Sequence, residues 1–272
     1  MAKTRHAVIC LSGGMDSTSL LMRLLAERRK VYGLCFDYGQ KHRLELRRLE
    51  SNLAYLREND IEFQCEKIEI PKIGDLFHSA LTDSNWQVPK GHYEQENMKQ
   101  TVVPNRNAIF ASIAYGYALS IAIQKDDHVD FCLGVHSGDH AVYPDCRPEF
   151  YESIFHAFSI GNWNSDLVHL HVPYLNGDKY TILQEASGSI AELGLDFDTI
   201  FRNTCTSYQP DSAGKSHGLT GSDVERILAF HKFGRQDPIE YVEPWEVVVQ
   251  KALALEAQHK ADEDDEALDS DG

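Results

Sequence analysis

The sequence contains no C-x-x-C pair, and its cysteines are scattered along the chain. They are Cys10, Cys35, Cys65, Cys132, Cys146 and Cys205. Thiols inside apolar runs, as at Cys10, Cys35 and Cys132, behave as small buried hydrophobes. The N-terminal run before the first glycines also lacks the long apolar stretch of a secretory signal. These absences predict a reduced, cytoplasmic protein.

Positive charge is scarce. The chain has 26 Lys and Arg against 42 Asp and Glu, which gives a formal net charge of −16. Seven of the negative charges follow Lys260, so the remaining body carries −9. Binding to a nucleic-acid backbone needs clustered Lys and Arg. The composition therefore disfavours a nucleic-acid partner, although it leaves room for a local basic pocket.

Long apolar runs are also rare. Residues 107–124 form an uncharged stretch, but it contains serines, tyrosines and a glycine between Arg106 and Lys125. Its apolar part is shorter than the ~20 residues that a membrane-spanning helix needs. The pattern predicts a helix buried on most faces within a core, and no membrane association.

Apolar runs alternate with helical patterns, which is typical of βαβ units and a parallel sheet. We predict strands at residues 6–11, 31–36, 63–70, 129–135 and 168–172. We predict helices at residues 17–29, 42–57, 107–124, 148–158, 179–193 and 223–233. The fold class is therefore α/β, with a parallel sheet that carries helices on both faces.

Two segments lack this periodicity. Residues 79–103 are polar and aperiodic, which predicts a functional lid or a disordered loop. Residues 258–272 are acidic and have few apolar side chains to offset the entropy of ordering. The predicted organisation is one domain over 1–240, a helical extension over 241–257 and a disordered acidic tail over 258–272.

The run ICLSGGMDST lies between the first predicted strand and helix. Gly13 and Gly14 allow a tight turn whose N–H groups approach an anion at the positive end of the helix. Ser12 and Ser17 add hydroxyl donors. Asp16 repels phosphate, so we expect it to hold Mg²⁺ or a loop N–H. An ordinary capped βα turn is the alternative.

The SGGMDS run in this context resembles the signature of the N-type ATP pyrophosphatases, the PP-loop superfamily. The resemblance implies a Rossmann-like, adenine nucleotide alpha hydrolase-like fold. It also implies ATP and Mg²⁺ bound at Ser12, Gly13, Gly14, Asp16 and Ser17. Members of the superfamily split ATP between the α and β phosphates and leave an adenylated substrate.

Four further stretches narrow the resemblance. They are DYGQKH at 37–42, PNRNAIF at 104–110, GVHSGDHAVYPDCRPEF at 134–150 and PYLNGDKYTIL at 173–183. In this order they resemble the 7-cyano-7-deazaguanine synthase family of queuosine precursor biosynthesis. The resemblance implies adenylation of 7-carboxy-7-deazaguanine and displacement of AMP by ammonia to give an amide. A second activation then dehydrates the amide to the nitrile.

These stretches supply candidate site residues. Arg106, Arg147 and Lys179 can neutralise phosphate or carboxylate charge, and Asp139 and Asp145 can accept hydrogen bonds from a guanine-like edge. The predicted catalytic residues are Asp16, Arg106, Lys179 and Arg147. The predicted substrate-binding residues are Tyr38, Gln40, Asn107, Asp139, Tyr143, Asp145 and Arg147.

Each assignment has a simpler alternative. Asp145 and Arg147 can form an ion pair at a helix start, and Lys179 can be a solvated helix residue. A metal site is the alternative for three further side chains, although their neighbours favour substrate binding. These are His136, His140 and Cys146.

The resembled family has a four-cysteine zinc site, in which one cysteine is followed after a short loop by C-G-x-C-x-x-C. Cys205 aligns with the first cysteine of that site. The AGKSHGL run at 213–219 aligns with C-G-x-C-x-x-C. Ala213, Ser216 and Leu219 then replace cysteines. Because a structural zinc site needs about four ligands, we expect no zinc and no other metal site formed by the protein alone.

The lost cysteines suggest a changed amine acceptor. Bacterial antiviral operons, type IV CBASS among them, encode proteins that resemble this family and are thought to join a deazaguanine to a partner-protein amine. The interpretation that we favour from sequence is such an AMP- and pyrophosphate-forming carbon–nitrogen ligase, acting as a homodimer or hetero-complex. Candidate docking surfaces are residues 205–219 and 241–255.

Two other functions stay open at this point. One is a zinc-free 7-cyano-7-deazaguanine synthase that uses ammonia, and the other is a non-catalytic ATP-binding protein that acts through a partner. A tRNA thiolase is disfavoured by the acidic body and the absence of a C-x-x-C pair.

Overall fold

The computed structural model describes residues 5–40, 43–83, 85–86, 89, 96–136, 143–207 and 210–270. Its centre is a five-stranded sheet with the strand order β3-β2-β1-β4-β5. The strands are β1 (His6–Cys10), β2 (Lys30–Asp37), β3 (Gln64–Glu69), β4 (Val129–Cys132) and β5 (Val168–His171). All neighbouring strands pair in parallel. The predicted α/β class with a parallel sheet is confirmed.

The helices cover both faces of the sheet, as predicted. They are α1 (Met15–Ala26), α2 (Leu44–Glu58), α3 (Lys72–Leu76), α4 (Arg106–Lys125), α5 (Pro148–Gly161), α6 (Lys179–Glu192), α7 (Phe197–Arg202), α8 (Gly221–Phe233) and α9 (Trp245–Ser270). Successive residues of β1 point to opposite faces. Ile9 therefore packs with α1, α2 and α6 in one core, whereas Val8 packs with α4 and α5 in the other.

The sheet topology creates a crevice beside β1. The chain passes from β1 to β2 and β3 on one side and then returns to β4 and β5 on the other. The connections after β1 and β4 therefore diverge at the carboxyl ends of adjacent strands. Ligands of open parallel sheets bind at such a switch point. The loop that carries the SGGMDS run leaves β1 at this place.

Helix α4, which is uncharged between its terminal Arg106 and Lys125, leaves one narrow stripe exposed. It packs on β1, β4 and β5, and seven of its residues are buried. Ser112, Gly116 and Ser120, which are four residues apart, face solvent because α5 covers only part of the helix. The other exposed residues of α4 are Ile123, Gln124 and Lys125 at its end, and the remaining fourteen residues are buried or partly buried, so the prediction of burial on most faces is confirmed. By length and composition, α4 is the one helix of the described residues that can cross a membrane, but its packing on the sheet is that of a core helix.

The end of the chain differs from the sequence prediction. Helix α9 is anchored on α8 by Val248, Val249 and Ala252, and it continues to Ser270. Residues 258–270, for which the composition predicted disorder, are thus the last turns of this helix. Ala, Glu and Leu are good helix formers, so a helix that tertiary contacts have started can continue through them.

Candidate active site

The SGGMDS loop at residues 12–17, which we name the phosphate-binding loop for the motif that it resembles, has the backbone that its glycines predict. Gly13 has a φ of +86°, and a Cβ atom there would lie 2.2 Å from the carbonyl oxygen of Glu45. The Gly14 N–H donates to Ser12 Oγ at 3.1 Å, and the Ser12 N–H donates to Ser17 Oγ at 3.3 Å. No side chain caps the N-terminus of α1 among the described residues. This helix end therefore offers its first N–H groups to an anion.

Lys179 extends from the first turn of α6 into the same site. Asp178 caps this helix by accepting a hydrogen bond from its third residue, so the GDKYT sequence fixes Lys179 at the helix start. The Lys179 Nζ lies 3.3 Å from Asp16 Oδ2, 2.6 Å from Glu225 Oε2 and 2.9 Å from His136 Nε2. Only 5% of Lys179 is exposed. The alternative of a solvated helix residue is therefore wrong.

The Lys179 cluster determines the charge of Asp16. Burial acts to raise the pKa of Asp16, but the Lys179 ammonium and His136 outweigh burial and hold this pKa below its ordinary value. Asp16 is therefore ionised at neutral pH. Its second oxygen, Oδ1, is buried without a hydrogen-bond partner in the described part of the chain. A carboxylate oxygen of this kind suits Mg²⁺, which prefers hard oxygen ligands.

Two cavities meet at the phosphate-binding loop. The first cavity is lined by Ser12, Gly14, Asp16, Met98, Tyr143, Lys179, Cys205, Ser222 and Glu225, among others. The second cavity lies at the switch point and is lined by Leu11, Phe36, Tyr38, Gln40, Arg106, Asn107, Phe110 and Gly134, among others. Ser12 and Glu45 line both. Most of the predicted site residues are thus brought together around one loop.

The DYGQ and PNRN stretches meet in the second cavity. Arg106 begins α4, and its Nη1 donates to the Tyr38 hydroxyl at 3.4 Å. The Arg106 Nε donates to Asn107 Oδ1 at 3.1 Å, while the Tyr38 N–H donates to Gln40 Oε1 at 3.0 Å. These contacts hold the guanidinium at the cavity wall.

Two of the predicted residues that the structure describes do not line the cavities. Arg147 is exposed at the start of α5, and Asp145 lies in the short 3-10 turn before it. Within the described residues, neither side chain lines the first or the second cavity. Asp139 and His140 lie outside the described residues, so the proposed contacts of Asp139 stay a prediction.

Sequence reasoning missed several residues of the site. Glu45 lies in the first turn of α2 and Glu225 lies in α8, and both look like surface residues of amphipathic helices in sequence. Met98 belongs to the aperiodic segment 79–103, yet it is buried and lines the first cavity. Thr101 of the same segment shares a hydrogen bond of 2.5 Å with the Tyr143 hydroxyl. One end of that segment therefore forms part of the site wall.

The region expected to lack zinc contains a hydroxyl cluster. The buried Asp223 carboxylate accepts hydrogen bonds from Ser216 at 2.8 Å, Ser207 at 3.1 Å and Thr220 at 2.6 Å. Burial raises the pKa of Asp223, and the hydroxyl donors offset part of this rise. Ala213 is exposed. Across the described ranges, no group of three or more His, Cys, Asp or Glu residues is arranged to hold a metal.

A buried ion pair fixes α8 beside this cluster. Arg226 and Asp237 form a bidentate pair, with Nε–Oδ2 at 2.6 Å and Nη2–Oδ1 at 2.8 Å, and both side chains are fully buried. Arg226 also donates to Thr204 Oγ1 at 2.7 Å. Because Glu225 precedes Arg226, this pair also sets the position of the carboxylate that holds Lys179.

The family model described as queuosine biosynthesis protein QueC matches residues 6–234. The chain belongs to this family. Similar curated relatives include 7-cyano-7-deazaguanine synthase 2 of Colwellia psychrerythraea, which is 41% identical over 87% of this chain and 99% of its own length. The 7-cyano-7-deazaguanine synthases of Methanoregula boonei and Caldicellulosiruptor saccharolyticus are each 40% identical, over 86% and 87% of this chain and 98% and 95% of their own lengths.

Similarity to solved structures is more distant. The NMN synthetase from Francisella tularensis covers 93% of this chain and 87% of its own, with a TM-score of 0.39 and 15% identity. This similarity is too low to support any inference about the site. The QueC family assignment therefore rests on the family model and on the curated relatives.

Proposed function

We propose that this QueC family member is an ATP-dependent 7-cyano-7-deazaguanine synthase that uses ammonia and no zinc. The names of its relatives favour this function over ligation to a partner protein. No comparison supports the partner-protein interpretation that we favoured from sequence. One observation supports the proposal most directly. The Nζ of the buried Lys179 lies 3.3 Å from Oδ2 of Asp16 in the phosphate-binding loop.

The second cavity suits the adenosine of ATP. It lies at the switch point of the sheet, where nucleotides bind in open parallel α/β folds. Phe36 and Phe110 stack there with ring centroids 4.1 Å apart, so an aromatic wall is available to a planar base. Tyr38, Gln40 and Asn107 then contact the nucleoside rather than the deazaguanine, to which we assigned them from sequence.

The phosphates then extend along the loop toward the first cavity. The Ser12 and Ser17 hydroxyls and the N-terminus of α1 donate to them. When ATP binds, the Lys179 ammonium moves away from the carboxylates of Asp16 and Glu225 and neutralises the charge of the phosphates. Asp16 Oδ1 would be a ligand of Mg²⁺, which would add to the neutralisation of the pyrophosphate.

The first cavity receives the 7-carboxy-7-deazaguanine. Its carboxylate meets the α phosphate at the junction of the two cavities, which Ser12 and Glu45 line. A carboxylate oxygen attacks the α phosphorus and pyrophosphate leaves. Positioning and charge stabilisation can carry this step without a covalent enzyme intermediate. Ammonia then displaces AMP.

Pyrophosphate exchange tests the adenylation step. Labelled pyrophosphate is expected to enter ATP only when 7-carboxy-7-deazaguanine is present. The Asp16→Asn variant is expected to abolish this exchange, because it removes the carboxylate that pairs with Lys179. Exchange that does not depend on the acid, or release of ADP, contradicts the proposed reaction.

A further inference from the structure

Glu45 lies where the two cavities join. It belongs to the first turn of α2, and its backbone carbonyl packs against Gly13 so closely that no side chain fits between them. The absence of a side chain at Gly13 thus brings α2 onto the phosphate-binding loop. The half-buried Glu45 side chain lines both cavities together with Ser12. It therefore faces the position where the substrate carboxylate and the α phosphate meet.

The other carboxylates of the first cavity are committed to Lys179. Asp16 and Glu225 lie 3.3 and 2.6 Å from its ammonium, and both carboxylates pair with it. His136 is fully buried and contacts the same ammonium at 2.9 Å. Glu45 is thus the carboxylate at the junction that Lys179 does not hold.

The surroundings of Glu45 suit proton transfer near neutral pH. Burial raises the pKa of Glu45 to about 7, and the Arg106 guanidinium offsets part of the rise. The titratable groups that interact electrostatically with Glu45 from neighbouring elements are Arg106 of α4, which lowers its pKa, and Tyr38 after β2 and Cys205 after α7, whose pKa values Glu45 raises. A base is most effective when its pKa lies near the working pH.

We propose that Glu45 is the general base that accepts the proton of the attacking amine. This inference rests on the proposed function. The nitrogen lone pair of ammonia forms a C–N bond with the carbonyl carbon of the adenylate, and the C–O bond to AMP breaks. One N–H proton passes to the Glu45 carboxylate and then to water, which leaves the primary amide.

Glu45 also accepts protons after the second activation. The amide oxygen attacks the α phosphorus of another ATP and pyrophosphate leaves. Loss of two N–H protons and of AMP then gives the nitrile. Both protons leave from the nitrogen beside the reacting carbon, where Glu45 can accept them. Adenylation itself requires no proton removal from a carboxylate, so the two half-reactions depend on Glu45 differently.

The test separates these half-reactions in the Glu45→Gln variant. The Gln side chain keeps the shape of Glu but cannot accept a proton. We expect acid-dependent pyrophosphate exchange within about threefold of wild type. We expect amide formation from ammonia in a single turnover to fall by about 100-fold or more, as for loss of a general base. With the concentration of unprotonated ammonia held constant at each pH, the wild-type fall in amide formation below about pH 7 should disappear in the variant.

A matched control is Glu50→Gln, which removes the same charge from an exposed position of α2. It should leave both half-reactions unchanged. Equal loss of exchange and of amide formation in Glu45→Gln would show a role in adenylation or folding and overturn the inference. Unchanged amide formation would overturn it as well. Absence of exchange in the wild-type protein would overturn the proposed function, and the inference with it.

Discussion

The ammonium of Lys179, at the start of α6, lies 3.3 Å from the carboxylate of Asp16 in the phosphate-binding loop. The contact joins the first βα unit of the chain to a helix that follows the last strand. It keeps a buried positive charge balanced next to the loop until a stronger anion arrives. A triphosphate is such an anion, since it offers several charged oxygens to one ammonium.

Removal of the Lys179 charge should therefore abolish adenylation. We expect Lys179→Met to lower the rate of acid-dependent pyrophosphate exchange by about 100-fold or more, comparable to the loss of an electrostatic donor at a transition state. Lys72→Met is the control, because Lys72 is an exposed residue of α3. Exchange in Lys179→Met within threefold of the control would contradict the role of this residue.

Gly13 should tolerate no side chain. Gly13→Ala places a Cβ 2.2 Å from the Glu45 carbonyl oxygen at a φ of +86°, so α2 must move off the loop. We expect a lower melting temperature and loss of ATP-induced thermal stabilisation. Gly116→Ala is the matched control, since Gly116 lies on α4 with open space around it. That change should stabilise by about 1 kcal/mol through helix propensity. Equal melting curves for the two variants would refute the packing argument.

The protein should fold without zinc. Hydroxyl donors to Asp223 fill the region where the family motif places cysteines, so we expect less than stoichiometric zinc by elemental analysis. EDTA should leave the melting temperature unchanged, because no metal contributes folding free energy. Asp223→Ala, in contrast, should destabilise the protein because it removes the acceptor of three buried hydroxyls. About one tightly bound zinc per chain would disprove this prediction.

The buried pair of Arg226 and Asp237 should dominate the stability of the C-terminal region. Asp237→Ala leaves a fully buried guanidinium without its partner, which costs about 3–5 kcal/mol in the free energy of unfolding. Asp198→Ala breaks the exposed pair with Arg235 and should cost at most about 1 kcal/mol. Urea unfolding of both variants measures the difference. Similar losses would show that Asp237 is not a structural anchor.

The fold class and the tight backbone turn at residues 12–17 could be predicted from sequence because both depend on local patterns. The SGGMDS run lies between a strand and a helix, and Lys179 follows a capping Asp178 in a recognisable stretch. The position of Glu45 at the junction of the two cavities could not be predicted from sequence, since it depends on how closely α2 packs on Gly13. Arg147 has the expected chemistry and sits at a helix start, but the turn that precedes it places its side chain away from both cavities.

The end of the chain differs from the sequence prediction for a reason that no local pattern records. Residues 258–270 have the composition of a disordered tail. They form a helix because the preceding turns of α9 are anchored on α8 through Val248 and Ala252.

The central claim is tested most directly by product analysis. The purified protein is incubated with ATP, Mg²⁺, 7-carboxy-7-deazaguanine and ammonium, and the products are identified by mass spectrometry over time. We predict multiple turnovers to 7-cyano-7-deazaguanine through the amide, with equal amounts of AMP and pyrophosphate. Accumulation of the adenylate without amide or nitrile, at any ammonium concentration, would contradict an ammonia-dependent synthase and indicate a different amine acceptor.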